Sequence, residues 1–167
     1  MRILIAAVGR AQKGAAETAA ARNYLQQAGH LGARLGFGAM ALREVEDRGR
    51  SFRSNPGDSL RSRQREAELL LAELPKGAKL AAMDETGREM PSRSFANWLG
   101  ETKDQGCRDL VFAIGGADGH CPGFLERSDW QLSLGKMTWP HMLVRLMLAE
   151  QIYRAVSLLA NHPYHRG

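Results

Sequence analysis

Apolar positions along the chain alternate between two patterns. Short apolar runs at residues 2 to 8, Lys79 to Asp84 and Asp109 to Ile114, each closed by turn formers, predict strands. Trp130 to Leu134 predicts a last one, and the less regular stretch from Arg34 to Val45 fits a second strand. Helical periods lie between them. Ala15 to Ala28 is Ala-rich and predicts a helix that Gly29 stops as a C-cap. Asp58 or Ser59 caps a helix striped by Leu60, Ala67, Leu70, Leu71 and Leu74, which Pro75 and Gly77 break. Ser92 or Ser94 caps another through Phe95, Trp98 and Leu99 to Gly106, and Phe124 to Ser128 forms a short one. Pro140 suits the first turn of a long helix in which Val144, Met147, Leu148, Ile152, Ala155, Val156 and Leu159 recur at helical spacing. Arg145, Glu150, Arg154 and Ser157 occupy its other face, with Glu150 placed four before Arg154 for an ion pair. Arg48 to Gly57 and Lys136 to Trp139 read as loops. The alternation of strand and helix predicts an α/β fold, a mostly parallel sheet with helices on both faces.

Glycines at the ends of the strands change this from a fold to a candidate site. The apolar run Val111 to Ile114 enters a turn carrying Gly115, Gly116 and Gly119, and a second glycine turn, Leu134 to Thr138, follows. Ligands of open α/β sheets bind beyond the carboxyl ends of the strands, so Met83 and the turn Asp84 to Gly87 belong on the same side as Gly115. The Gly115-Gly116-x-x-Gly119 pattern lacks the first Gly-x-Gly of the dinucleotide fingerprint, and no Walker Lys-Ser/Thr follows it. It reads either as a structural tight turn or as a backbone cradle for a small cofactor.

Size and charge narrow the class. The 167 residues and 18.4 kDa fit a single domain spanning 1–167, with 44% hydrophobic and 25% charged residues. No apolar run approaches the roughly 20 residues of a membrane span, and the N-terminal run reads better as a strand than as a signal, which points to a cytoplasmic protein. Cys107 and Cys121 have no CxxC spacing and read as free thiols. A net charge of +5, carried by 18 Arg and 5 Lys, makes nucleic acid the first candidate partner; the alternative is a genome biased toward Arg codons. Arg48 to Arg65 holds six Arg against one acid, Asp58. That stretch is an RNA-phosphate surface with Phe52 available to stack, or a solvated loop and helix face.

Histidines add little by themselves. His162 and His165 have metal-like spacing but no third and fourth ligand nearby, so no metal is expected. With Tyr164 and Arg166 they make a tail suited to a base and a phosphate, or a loose terminus. His141 opens the long helix, where the positive dipole end favours a neutral imidazole, and His30 falls in a loop after the first helix without a signal. No Ser-His-Asp order or paired carboxylates emerge for hydrolysis.

Ile114-Gly-Gly-Ala-Asp-Gly119, Leu132-Ser-Leu-Gly-Lys-Met-Thr-Trp-Pro-His-Met-Leu-Val-Arg145, Glu150-Gln-Ile-Tyr-Arg154 and Asn161-His-Pro-Tyr-His-Arg166 together resemble the ribosomal RNA large subunit methyltransferase H family. The resemblance spans the chain. Ala117-Asp118 departs from the Pro or Ser pattern of many relatives, which bears on loop rigidity and leaves the glycines in place. The resemblance implies a SPOUT-type α/β fold with a C-terminal trefoil knot, a homodimer, and methyl transfer from S-adenosyl-L-methionine to N3 of a pseudouridine in 23S ribosomal RNA on assembled ribosomes. A noncatalytic RNA- or ribosome-binding module of the same fold is the alternative. The matching cofactor positions are Met83, Gly115, Leu134, Gly135, Lys136, Met137, Thr138 and Trp139. Arg154, His162, Tyr164 and His165 are the candidates for holding RNA or serving as base.

Overall fold

The computed structural model describes residues 1–12, 14–46 and 56–163. Five strands, β1 (Arg2–Val8), β2 (Met40–Val45), β3 (Lys79–Glu89), β4 (Asp109–Ile114) and β5 (Trp130–Ser133), form one sheet in the order β2-β1-β4-β3-β5, and every pairing is parallel. The helices are α1 (Ala16–Gly32), α2 (Pro56–Ala72), α3 (Ser92–Asp104), α4 (Pro122–Arg127) and α5 (His141–Leu159).

Strand alternation splits the core into two layers, because successive side chains point to opposite faces of a sheet. Ile3, Ile5 and Ala7 of β1 and Leu110, Phe112 and Ile114 of β4 pack with Leu25 of α1, Leu99 of α3 and Ile152 of α5. Ala6, Val8, Val111 and Ala113 face the other way, against Leu70 of α2 and Phe124 of α4. Helices therefore cover both faces, as the alternation predicts, and all six residues of β4 are buried. At the opposite end of the sheet from the glycine turns, Arg2 donates to both Asp109 carboxylate oxygens, at 2.6 and 2.7 Å, and ties β1 to β4. No helix among the described residues is long and apolar enough to cross a membrane.

Several boundaries differ from expectation, each for a packing reason. Gly29 does not stop α1. The buried stripe Ala21, Leu25, Ala28 continues to Gly32, where a Cβ would sit 2.9 Å from that of Phe37, so His30 lies within the helix. A 3-10 turn, Ala33–Leu35, follows, and the left-handed residue is Gly36 at φ 81°, which leaves β2 only from Met40 onward. α2 begins at Pro56, so Asp58 and Ser59 lie inside it rather than cap it, and Leu60 is exposed. Of the expected loop Arg48 to Gly57, residues 48–55 lie outside the described residues. Ser92 does not cap α3, whose N-cap is Pro91; its hydroxyl donates to Gln151 of α5 instead. α4 starts earlier than expected, at Pro122.

β3 and α5 carry the larger corrections. β3 does not end at the Asp84 turn. Met83 and Arg88 both pair with Leu132 of β5, so the residues between them bulge outward and the strand resumes. Arg145 and Ser157, expected on the polar face of α5, are fully buried, because α5 lies against α1 and α3 and reaches the strand ends. The ion pair between Glu150 and Arg154 forms as its spacing predicts, at 2.6 Å.

Candidate functional site

Parallel pairing brings the carboxyl ends of β1, β4 and β3 to one edge: Ile114 is in register with Ala7 on one side and Met83 on the other. The loops leaving β3, β4 and β5, with the start of α5, enclose a cleft of about 460 Å³. Met83, Gly115, Leu134, Gly135, Met137, Thr138 and Trp139 all line it, whereas Lys136 stands exposed on the same loop outside the lining. Residues more than fifty positions apart in the chain are thus brought to one place. A second cleft of about 610 Å³ lies between α1, α3 and α5 and shares Met83 and the segment Leu132 to Gly135. The smaller cleft is the candidate ligand site, because there the glycine turns present backbone rather than side chains.

The glycines are demanded by close approach. A Cβ on Gly115 would lie 3.1 Å from the carbonyl carbon of Gly119, and one on Gly116 would lie 2.9 Å from both carboxylate oxygens of Glu66 on α2. Gly119 at φ 72° and Gly135 at φ 113° occupy backbone regions that L side chains avoid. The Ser133 hydroxyl bonds both the N–H and the carbonyl of Gly135, at 3.1 and 3.0 Å, and sets the second turn. On the β3 bulge, Asp84 accepts from the N–H and hydroxyl of Thr86, as Asp does in turns. Gly87 allows the bulge to close: a Cβ there would lie 2.6 Å from the backbone nitrogen of Leu132.

Two imidazoles line the cleft. His141 is the first residue of α5, and burial, followed by the nearby Arg145 charge, holds its pKa below the ordinary 6.5. That direction favours the neutral ring, and its leading cause is burial. His120 is buried and stacks on Phe124 with ring centroids 4.5 Å apart. Its Nε2 lies 3.3 Å from the Ala113 carbonyl, and burial lowers its pKa against the opposing pull of that carbonyl and of Asp84. Sequence reasoning missed His120; its one signal is its place directly after Gly119.

Arg145, expected on the polar face of α5, is instead a buried structural anchor of the site. Its Nη2 donates to the carbonyls of Val8 and Gly9 at 2.6 and 2.9 Å, and its Nη1 to Glu44 at 3.0 Å. Glu44 also accepts from the N–H of Ala11, so one buried pair ties the start of α5 to the chain leaving β1 and to β2. Burial lowers the Arg145 pKa while Glu44 opposes it, and a guanidinium keeps its proton in such surroundings.

The other candidates are not gathered at this cleft. Arg154 follows His141 by more than three helical turns, about 20 Å along the axis, and pairs with Glu150, which lines the second cleft. His162 is exposed beyond α5, with its N–H bonded to the Ser157 carbonyl. Tyr164, His165 and Arg166 lie outside the described residues, as do Arg48, Arg50, Phe52 and Arg53. Arg63 of α2 does reach the cleft lining. Cys107 and Cys121 are free thiols, as expected.

Comparison with known proteins places these features in a lineage. A family model described as "Predicted SPOUT methyltransferase" matches residues 1–165. The chain is 49% identical over 166 residues to a protein of Paramagnetospirillum magneticum, with 99% of both chains covered. Similar proteins of Rhizobium etli and Ruegeria sp. are 46% and 45% identical over 166 residues, again across 99% of both chains. All three carry the name "Ribosomal RNA large subunit methyltransferase H".

Proposed function

The chain belongs to the SPOUT methyltransferase family, and from that membership we propose that it moves a methyl group from S-adenosyl-L-methionine to N3 of a pseudouridine in 23S ribosomal RNA within the assembled ribosome. The observation that carries this reading is the convergence of Met83, Gly115 and the segment Leu134 to Trp139 on one cleft bounded by glycine backbone. The donor set fits the cofactor. S-adenosylmethionine is cationic at sulfur, and Asp84, Glu85 and Asp118 lie in the lining. Exposed backbone groups in the two glycine turns suit an adenosine that must be held by hydrogen bonds without bulky side chains.

The bound cofactor supplies an electrophilic methyl on a sulfonium. The chain's own tasks are to align the nucleophile with that methyl and to take up the proton of a weakly acidic N3–H. The bulge of β3 and the two glycine turns provide a fixed cradle for alignment. Of the imidazoles in the lining, His120 has its Nε2 engaged with Ala113, which leaves His141, held neutral by burial, as the side chain suited to accept the proton. No metal is required by this chemistry.

Arg154, His162, Tyr164 and His165 enter the proposal as RNA-holding groups supplied to the cleft of a partner subunit. Their support is the separation of Arg154 from the cleft of its own chain. A homodimer is further supported by the second cleft, whose lining includes Leu146 and Met147 of α5 and Tyr24 of α1. The trefoil knot belongs to the same reading, supported by the path from central β4 out to edge β5 and back to Arg145 beside β1. A single domain is supported by one sheet that draws strands from both halves of the chain, and a cytoplasmic place by the ribosomal substrate.

The test is mass spectrometry of ribosomal RNA after ribosomes lacking the modification are incubated with the protein and isotopically labelled cofactor. One labelled methyl on one pseudouridine is expected. Label on another nucleotide, or none, would overturn the assignment.

A further inference from the structure

We propose that Ser92 and Gln151 are positioning residues that hold the Arg154 guanidinium, through Glu150, in the orientation in which it takes RNA. This deepens the RNA-methylating reading and rests on it. A chain of hydrogen bonds runs from the first turn of α3 to the middle of α5. The Ser92 hydroxyl donates to Oε1 of Gln151 at 2.7 Å, and Nε2 of Gln151 donates to Oε2 of Glu150 at 2.7 Å. The other Glu150 oxygen, Oε1, accepts from Nε and Nη2 of Arg154 at 2.9 and 2.6 Å. Each of these side chains is half-buried.

Each link removes a freedom that the ion pair alone would keep. A carboxylate four residues before an arginine on a helix surface forms a weak pair whose long side chains exchange rotamers. Here the amide of Gln151 occupies the second carboxylate oxygen, so Glu150 cannot turn without losing a bond, and the guanidinium on its first oxygen is held with it. Gln151 is fixed in turn by the Ser92 hydroxyl. A serine in the first turn of a helix commonly bonds its own backbone; this one bonds the neighbouring helix instead. Phe95 and Leu99 of α3 share one apolar cluster with Leu148 and Ile152 of α5. Such packing is non-directional and does not orient a polar side chain beside it; the hydrogen bonds do.

An oriented guanidinium suits RNA. Its plane presents donors in a fixed fork to a phosphate or to the edge of a base, and a side chain already held loses less freedom on binding. Glu150 balances the charge of Arg154, so the relay contributes direction, while long-range attraction comes from the molecule's net charge of +5. Neither Ser92 nor Gln151 lines the cofactor cleft; both line the second one, together with Glu150. With a homodimer formed there, the relay stands at the face from which Arg154 is supplied to a partner's cleft.

The test compares wild type with Ser92→Ala, Ser92→Thr, Gln151→Met, Arg154→Ala and the double variant Gln151→Met with Arg154→Ala. Four quantities are measured: steady-state methylation of ribosomes, equilibrium binding of ribosomes, equilibrium binding of labelled S-adenosylmethionine, and sedimentation. Gln151→Met keeps the volume of the side chain and removes both of its bonds, and should raise KM for ribosomes roughly three- to tenfold, with kcat changed far less. Ser92→Ala should raise it by a smaller factor, and Ser92→Thr, which keeps the hydroxyl, should recover the loss. The double variant should bind ribosomes no more weakly than Arg154→Ala, because the relay acts through Arg154. A contact that only held α3 on α5 would still add its own effect. Cofactor affinity and oligomeric state should stay at their wild-type values. A wild-type KM in Gln151→Met, a further loss in the double variant, a primary loss of cofactor affinity or a shifted oligomeric state would each overturn the proposal. If wild type methylates no ribosomal RNA, the broader reading fails as well; if it methylates and Arg154→Ala weakens ribosome binding while Gln151→Met does not, the relay alone fails.

Discussion

Burial holds the pKa values of His120 and of the partly buried His141 below the ordinary value, and this makes stability depend on pH. In the unfolded chain each ring takes a proton near pH 6.5, the ordinary value; in the folded chain both resist protonation to lower pH. The unfolded state therefore binds more protons between those values, so the stabilisation is complete above pH 6.5 and is lost as pH falls through the folded pKa values. Urea unfolding at pH 7.5 and pH 5 should show a loss for wild type and a smaller loss for His120→Gln; equal losses would remove His120 as a contributor. Gly87 and Gly116 differ in a way that spacing does not reveal. A Cβ at Gly87 meets the Leu132 backbone, whereas one at Gly116 meets the far end of the Glu66 side chain. Gly87→Ala is expected to cost about 1–3 kcal/mol, in the range for overpacking, and to weaken cofactor binding by parting β3 from β5. Gly116→Ala should cost less, since Glu66 can swing aside. A thermal melt and a cofactor titration of each variant decide it.

At the level of elements, the start of α5 is positioned by the buried Arg145–Glu44 pair, and the cleft depends on that position. Removing one partner from a buried ion pair leaves an uncompensated charge, at a cost of about 3–5 kcal/mol. Glu44→Ala is expected at the lower end, because its carboxylate is partly exposed while Arg145 is not. His141 and Trp139 would then lose their mounting, so kcat for methylation should fall even where the protein stays folded. Unchanged kcat in a folded Glu44→Ala variant would show that the pair serves stability alone. This pair was hidden in the sequence because its residues lie a hundred positions apart and Arg145 reads as a surface charge on a helix. The end of β3 was hidden for a related reason. Asp84-Glu-Thr-Gly87 is a true turn signal, but whether a strand resumes after a turn depends on a partner, and β5 comes later in the chain.

For the whole molecule, the chain's two ends are put to different uses. The cleft is built from the strand ends, while Arg154 and His162 lie toward the far end of α5. Deleting His162 to Gly167 should therefore leave cofactor binding intact and remove methylation of ribosomes. If groups cross between subunits, activity should return when the deleted chain is mixed with a Gly115→Trp chain, whose own cleft is filled but whose tail is intact. No recovery after the two chains are refolded together would confine each site to one subunit. By itself, the order of apolar and polar residues determined the α/β class, the parallel sheet and the place of the glycine turns, because buried strands and amphipathic helices carry their periods locally. The ordered motifs from Ile114 onward likewise identified the family, since they need only be read along the chain. Tertiary structure alone decided that Gly29 stays helical, that Arg145 is buried and that β3 resumes after its turn. Each of these depends on contacts between distant segments, and a pattern read along one segment contains no term for what another will press against it.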